Sequence, residues 1–77
     1  MSTGKYKKYI AIMGDGRYFI EEDRPEVGWY LHVYQNGQST ADDLKEDFDG
    51  ITAHAASKYG VPADIWEEVD KDPVWAR

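Results

Sequence analysis

Three stretches in the first half of the chain are rich in β-branched and aromatic residues and predict β-strands, and the third of them also alternates with a clear period of two. The stretches are residues 8–13 (KYIAIM), 17–22 (RYFIEE) and 28–35 (GWYLHVYQ). Gly14-Asp15-Gly16 separates the first two and is typical of a hairpin turn, because glycine accepts positive φ. A three-residue turn would place Ile12 opposite Tyr18 and group the aliphatic side chains on one face, so we prefer that register.

A helical period follows the strands. One apolar stripe, with spacings of four, three, four and four, is formed by Leu44, Phe48, Ile51, Ala55 and Tyr59. Ser39 or Thr40 could cap the start of this helix, and Gly60 before Val61-Pro62 predicts its end. Residues 63–69 (ADIWEEV) fit either a short helical turn or a short edge strand.

The order of these elements predicts a single α+β domain over residues 1–77, with residues 1–7 and 70–77 loose. Its expected architecture is βββα: a three-stranded antiparallel meander, one long amphipathic helix packed on one face, and a short C-terminal element. Strand and helix periods converge on one predicted core. That core consists of Ile10, Ile12, Ile20, Trp29, Leu31, Val33, Leu44, Phe48 and Ile51.

Length, charge and cysteine content limit the classes of function. The 77-residue chain has no cysteine and a formal net charge of −6. Residues 1–17 carry four basic groups against one acidic group (+3), and residues 18–77 carry five against fourteen (−9). An acidic body repels phosphate, so we expect no nucleic-acid partner. No apolar run reaches the length of a signal peptide or a membrane span, so we expect a cytoplasmic protein without membrane contact.

The acidic run at residues 42–50 (DDLKEDFDG) invites comparison with a calcium-binding loop. When the run is aligned on Gly50, Lys45 and Ala56 occupy positions where an EF-hand needs oxygen ligands. We therefore expect no metal and no cofactor, and interpret the run as the start of the helix, where the dipole favours negative charge. The run also forms a candidate acidic docking face, which comprises Asp42, Asp43, Glu46, Asp47 and Asp49.

Neither histidine of the chain, His32 or His54, lies at metal-ligand spacing or beside a nucleophile motif. His54 is expected on the flank of the helix. His32 lies between Tyr30 and Tyr34 on one face of its strand. We expect no catalytic residue and no enzyme, and a small-ligand binder or an enzyme that uses His32 remains an alternative.

The sheet face away from the helix is the strongest candidate surface. One helix covers one face only, so the other stays open unless a C-terminal segment with Trp66 and Trp75 folds over it. An open aromatic patch normally marks a binding surface. We therefore predict a non-enzymatic protein–protein interaction module that binds an unknown protein or a second copy of itself. An acidic inhibitor of the immunity type, or a nucleic-acid mimic, is the alternative. The candidate interaction surface comprises Tyr9, Phe19, Tyr30, His32 and Tyr34.

Three segments carry a resemblance to a known family. They are GDG at 14–16, FIEEDRPEVGWYLHVY at 19–34, and YGVP at 59–62 followed by Trp66. In these segments the chain resembles a family of small bacterial single-domain proteins that has no established activity. The resemblance implies a stand-alone bacterial domain and assigns no functional residues.

Overall fold

Five antiparallel strands form one sheet, and one α-helix packs on one of its faces, within the residues that the computed structural model describes (6–23 and 27–76). The strand order is β4-β3-β2-β1-β5. The α+β class was predicted correctly, but the three-stranded meander was wrong, because two further strands extend the sheet at its two edges. The elements are β1 Lys8–Met13, β2 Gly16–Glu22, β3 Trp29–Gln35, β4 Gln38–Lys45, α1 Phe48–Tyr59 and β5 Glu67–Val69.

The strand β4 occupies residues that were predicted to begin the helix. Asn36 and Gly37 have φ values of 55° and 78°, the left-handed conformation of a two-residue hairpin turn. The chain therefore turns back, and β4 pairs with β3 along its length. The helix begins only after Asp47, whose side-chain Oδ1 accepts a hydrogen bond of 2.7 Å from the backbone N–H of Gly50.

The helix ends at the glycine that the sequence predicts. Gly60 follows α1 with a φ of 73°, the left-handed conformation that lets the chain leave the helix axis. The residues beyond it adopt both of the predicted alternatives, a 3-10 turn at Ala63–Ile65 and then β5, which pairs with β1.

Neither the 12-residue α1 nor any other helix of the described chain is long and apolar enough to cross a membrane. The sequence also predicts a polar loop at residues 23–27 (DRPEV), of which 24–26 lie outside the described residues.

The first hairpin has a two-residue turn at Gly14 and Asp15, so the predicted register was wrong. Met13 pairs with Gly16, which places Ile10 opposite Phe19 rather than Ile20. A Cβ atom at Gly16 would lie 2.8 Å from the hydroxyl oxygen of Tyr18. The Tyr18 ring therefore occupies the space that a side chain at this position would need. A shift of one residue moves every side chain of β1 to the opposite face.

The core lies between the sheet and α1. Its buried members are Ala11, Tyr18, Ile20, Leu31, Val33, Ile51, Ala55 and Val61. Three predicted members do not belong to it: Ile10, Ile12 and Leu44 lie on the opposite face, where Ile12 and Leu44 are 52% and 46% exposed. Because of the hairpin register, the β1 residues that face the helix are Tyr9, Ala11 and Met13.

Candidate functional site

Three aromatic rings stack in a row on the sheet face away from α1. Phe19 on β2 and His32 on β3 are cross-strand partners, and Tyr30 lies two residues before His32 on the same face. The ring centroids are 5.7 Å apart for Phe19 and His32 and 5.9 Å apart for His32 and Tyr30, with interplanar angles of 25° and 18°. Such near-parallel pairs have a favoured stacking geometry. We call Phe19, His32 and Tyr30 the ring row.

A carboxylate lies beside the ring row. Glu21 is the cross-strand partner of Tyr30, and its Oε2 lies 2.8 Å from Nε2 of His32, to which it is hydrogen-bonded. The side chains of His32 and Glu21 are 23% and 35% exposed, so the pair still faces solvent. The His32 ring stacks with both Phe19 and Tyr30, and its hydrogen bond to Glu21 holds the carboxylate in one arrangement, which is the preorganisation that a binding site needs.

The hydrogen-bonded pair forms part of the wall of an open hollow of about 420 Å³, which we call the acidic cleft. Its volume is within the range of small-ligand sites. Four of the side chains that line it are carboxylates and one is a lysine, so its potential is negative. The lining consists of Tyr6, Lys8, Glu21, Glu22, Asp23, Tyr30, His32 and Asp42.

The charged groups of the acidic cleft differ in what already binds them. Glu22 accepts a hydrogen bond of 3.0 Å from the backbone N–H of Lys7. Lys8 reaches away to Asp72, with 3.6 Å between Nζ and Oδ1. Asp42 is exposed, lies opposite His32, and has no hydrogen-bond or ion-pair partner within the described chain. The cleft therefore presents an unpaired carboxylate and an oriented one, Glu21, to a cation.

The C-terminal segment contacts the same sheet face at two places, Lys8 beside the acidic cleft and Tyr34 at the other end. The contact between Asp72 and Lys8 lies at β1, and the ring of Trp75 packs edge-on against Tyr34 of β3 at a centroid distance of 5.5 Å. The strand β2 lies between β1 and β3 in the sheet, and its residue Phe19 is only 2% exposed. Trp66 packs on the helix side of the sheet instead. Trp75 therefore covers only part of this sheet face from within the same chain.

The structure places four residues of the predicted interaction surface on this face and one on the other. Phe19, Tyr30, His32 and Tyr34 share the face as expected. Tyr9 lies on the helix side, with its ring centroid 4.7 Å from that of Phe48. The placement of Tyr9 was wrong for the same reason as the assignment of Ile10 and Ile12 to the core, the length of the first hairpin turn.

The residues of the predicted acidic docking face do not share one helix start. Asp42 lines the acidic cleft, and Asp43, its neighbour on β4, faces α1. Asp47 caps α1, Asp49 lies in its first turn, and Glu46 is in the connection before the helix. Within residues 6–23 and 27–76, no group of three or more histidine, cysteine, aspartate or glutamate side chains could hold a metal ion.

A second polar cluster, which the sequence does not predict, connects α1 to β4. The hydroxyl of Tyr59 donates a hydrogen bond of 3.3 Å to Oδ2 of Asp43. Nε2 of His54 lies 3.1 Å from the same oxygen, without hydrogen-bond geometry. No sequence signal could have indicated this cluster, because it requires Asp43 to lie in a strand beside the helix.

We expect Tyr59 to make the fold less stable at alkaline pH. Burial, and then the neighbouring Asp43 carboxylate, raise the pKa of the Tyr59 hydroxyl above its ordinary value of 10.0, although Lys58 opposes this. The unfolded chain therefore loses this proton first. The stabilising contribution is complete below pH 10.0 and disappears as pH rises through the folded-state pKa.

Thermal unfolding between about pH 8 and about pH 11 tests this expectation. The decline in melting temperature with rising pH should be shallower for Tyr59→Phe than for the unchanged chain. Tyr6→Phe, which alters an exposed tyrosine, serves as the control and should keep the original decline. Equal slopes for the unchanged chain and Tyr59→Phe would contradict the expectation.

Fold and site together define a small α+β domain with one sheet face against a helix and the other divided between the acidic cleft and the C-terminal segment. No protein-family model, curated protein or solved structure matches the chain. Its function must therefore be inferred from the chemistry of its surfaces.

Proposed function

We propose that the chain is a protein–protein interaction module that uses the acidic cleft to bind a positively charged segment of another protein. One observation carries this proposal: four carboxylates and one lysine line a hollow beside three stacked rings. The net charge of −6 adds a long-range attraction for a basic partner, which raises the association rate.

The arrangement of the acidic cleft also resembles the anatomy of known interfaces. Binding energy concentrates on aromatic side chains that are surrounded by polar groups. Tyr30 and His32 supply flat ring surface, and Glu21 and Asp42 supply acceptors beside it. The stacked rings are already ordered, so binding loses little side-chain entropy. A nucleic-acid mimic has less support, because Asp43 faces the helix and lies away from the cleft.

A basic peptide provides the test. The probe is a glycine-serine peptide with three evenly spaced arginines, titrated into the protein while backbone amide shifts are recorded by NMR. We expect saturable shifts at residues 19–23, 30–32 and 42, and weaker binding at higher salt because exposed charges are screened. The same peptide with glutamates in place of arginines should leave these shifts unchanged.

Two charge-matched variants make the test specific. Asp42→Asn should weaken binding of the arginine peptide by about two- to fivefold, the effect of one exposed ion pair. Asp64→Asn removes the same charge from an exposed position outside the cleft and should leave binding within error. Equal losses in the two variants, or shifts spread evenly over the surface, would contradict the proposal.

A further inference from the structure

We infer that the acidic cleft selects arginine over lysine in its partner, an inference that rests on the proposed function. The ring row ends at Tyr30 among the described residues, and Tyr30 also lines the cleft. A planar group could therefore continue the stack from inside the cleft. The guanidinium of arginine is planar and stacks on aromatic faces, whereas the ammonium of lysine is a compact point charge.

The carboxylate of Glu21 favours the same side chain. Because Oε2 of Glu21 is hydrogen-bonded to His32 at 2.8 Å, the orientation of this carboxylate is fixed. Glu21 lies directly across from Tyr30, so an acceptor stands beside the last ring of the row. A guanidinium carries five N–H donors in a rigid fork, so it can stack on Tyr30 and donate to Glu21 at the same time. An ammonium group gains the charge interaction without the stack.

The other charges of the cleft are compatible with this arrangement. Asp42 lies on β4 and Glu21 on β2, so the two carboxylates flank β3 at a strand separation of about 9–10 Å. The negative potential therefore comes from both sides of β3, the strand that carries Tyr30 and His32. Lys8 is the cation among the lining residues, and Asp72 at 3.6 Å partly offsets its charge. The entering guanidinium thus meets a cleft that remains net negative.

Two peptides that differ only at the central residue, which is arginine in one and lysine in the other, test the selection on the unchanged protein. Their dissociation constants are measured by calorimetry or NMR titration at one fixed salt concentration. We expect the arginine peptide to bind about three- to tenfold more tightly, because the guanidinium stacks on Tyr30 and the ammonium does not. Equal affinities would overturn the inference and leave the proposed function intact. Absence of binding by both peptides would overturn the two together.

Variants on the same strand face identify the selecting group. Tyr30→Leu keeps every carboxylate of the cleft, and should bring the two peptides to equal affinity. Tyr30→Phe keeps the ring and should keep the preference for arginine, which separates the role of the ring from that of the hydroxyl. Tyr34→Leu makes the same change outside the lining and should also keep the preference. A preference that survives in a folded Tyr30→Leu protein would overturn the inference.

Discussion

Leu31→Ala should lower the free energy of unfolding by about 2–5 kcal/mol. Leu31 is fully buried at the centre of β3, with Ile20 and Asp43 as its cross-strand partners. The substitution removes apolar atoms from the layer between sheet and helix, and the paired strands cannot close the resulting cavity. Small domains have a total stability of only about 5–15 kcal/mol, so this loss would be a large fraction of it.

Leu44→Ala is the matched control, because it makes the same chemical change at a position that the sequence pattern also assigned to the core. Leu44 lies on the edge strand β4 and is 46% exposed. We expect its loss to stay within about 1 kcal/mol, since surface substitutions generally have small effects. Urea unfolding followed by tryptophan fluorescence and circular dichroism gives both values. Equal losses at Leu31 and Leu44 would contradict the observed division of the two faces.

The strand β3 shows what the sequence can predict. Its alternation has strong contrast, with Trp29, Leu31 and Val33 on one side and a polar or aromatic residue between each of them. Such contrast fixes both the strand and the face that it buries. The predicted grouping of Tyr30, His32 and Tyr34 on the second face followed from the same alternation.

The strand β1 shows why the period of two can fail. Both of its faces are apolar, with Ile10 and Ile12 on one side and Tyr9, Ala11 and Met13 on the other. Without contrast, the length of the hairpin turn alone decides which face meets the helix. The pairing of Glu21 with His32 was equally invisible, because it depends on how β2 and β3 align.

The strand β4 was missed because an edge strand with exposed side chains needs no hydrophobic alternation. Every residue of it is at least partly exposed, and its two aspartates are more typical of a helix start than of a strand. The chain nevertheless contained a hairpin signal at Asn36-Gly37. Since β4 supplies Asp42 to the acidic cleft and Asp43 to the helix contact, the site could not be assembled without it.

Gly28→Ala should cost about 2–6 kcal/mol, the sum of backbone strain and overpacking. The φ of Gly28 is 115°, a conformation that residues with a side chain rarely adopt. A Cβ atom there would overlap the carbonyl oxygen of Lys45 and would lie 3.2 Å from its carbonyl carbon. Both are backbone atoms, so the contact can be relieved only by moving the end of β4 away from the start of β3.

Gly37→Ala provides the comparison, because Gly37 has a similarly unusual φ of 78° with no heavy atom within 4 Å of the added Cβ. We expect this variant to lose only about 1–2 kcal/mol, the cost of a left-handed residue with a side chain. The difference between the two variants therefore contains the cost of the contact with Lys45, together with the strain that a φ of 115° adds over a φ of 78°. The carbonyl of Gly28 also accepts a hydrogen bond of 2.8 Å from the N–H of Asp23, a residue of the acidic cleft. A folded Gly28→Ala protein should thus bind the arginine peptide more weakly, whereas Gly37→Ala should bind it unchanged. If Gly28→Ala loses no more stability than Gly37→Ala, the close approach of the β3 start to Lys45 is wrong.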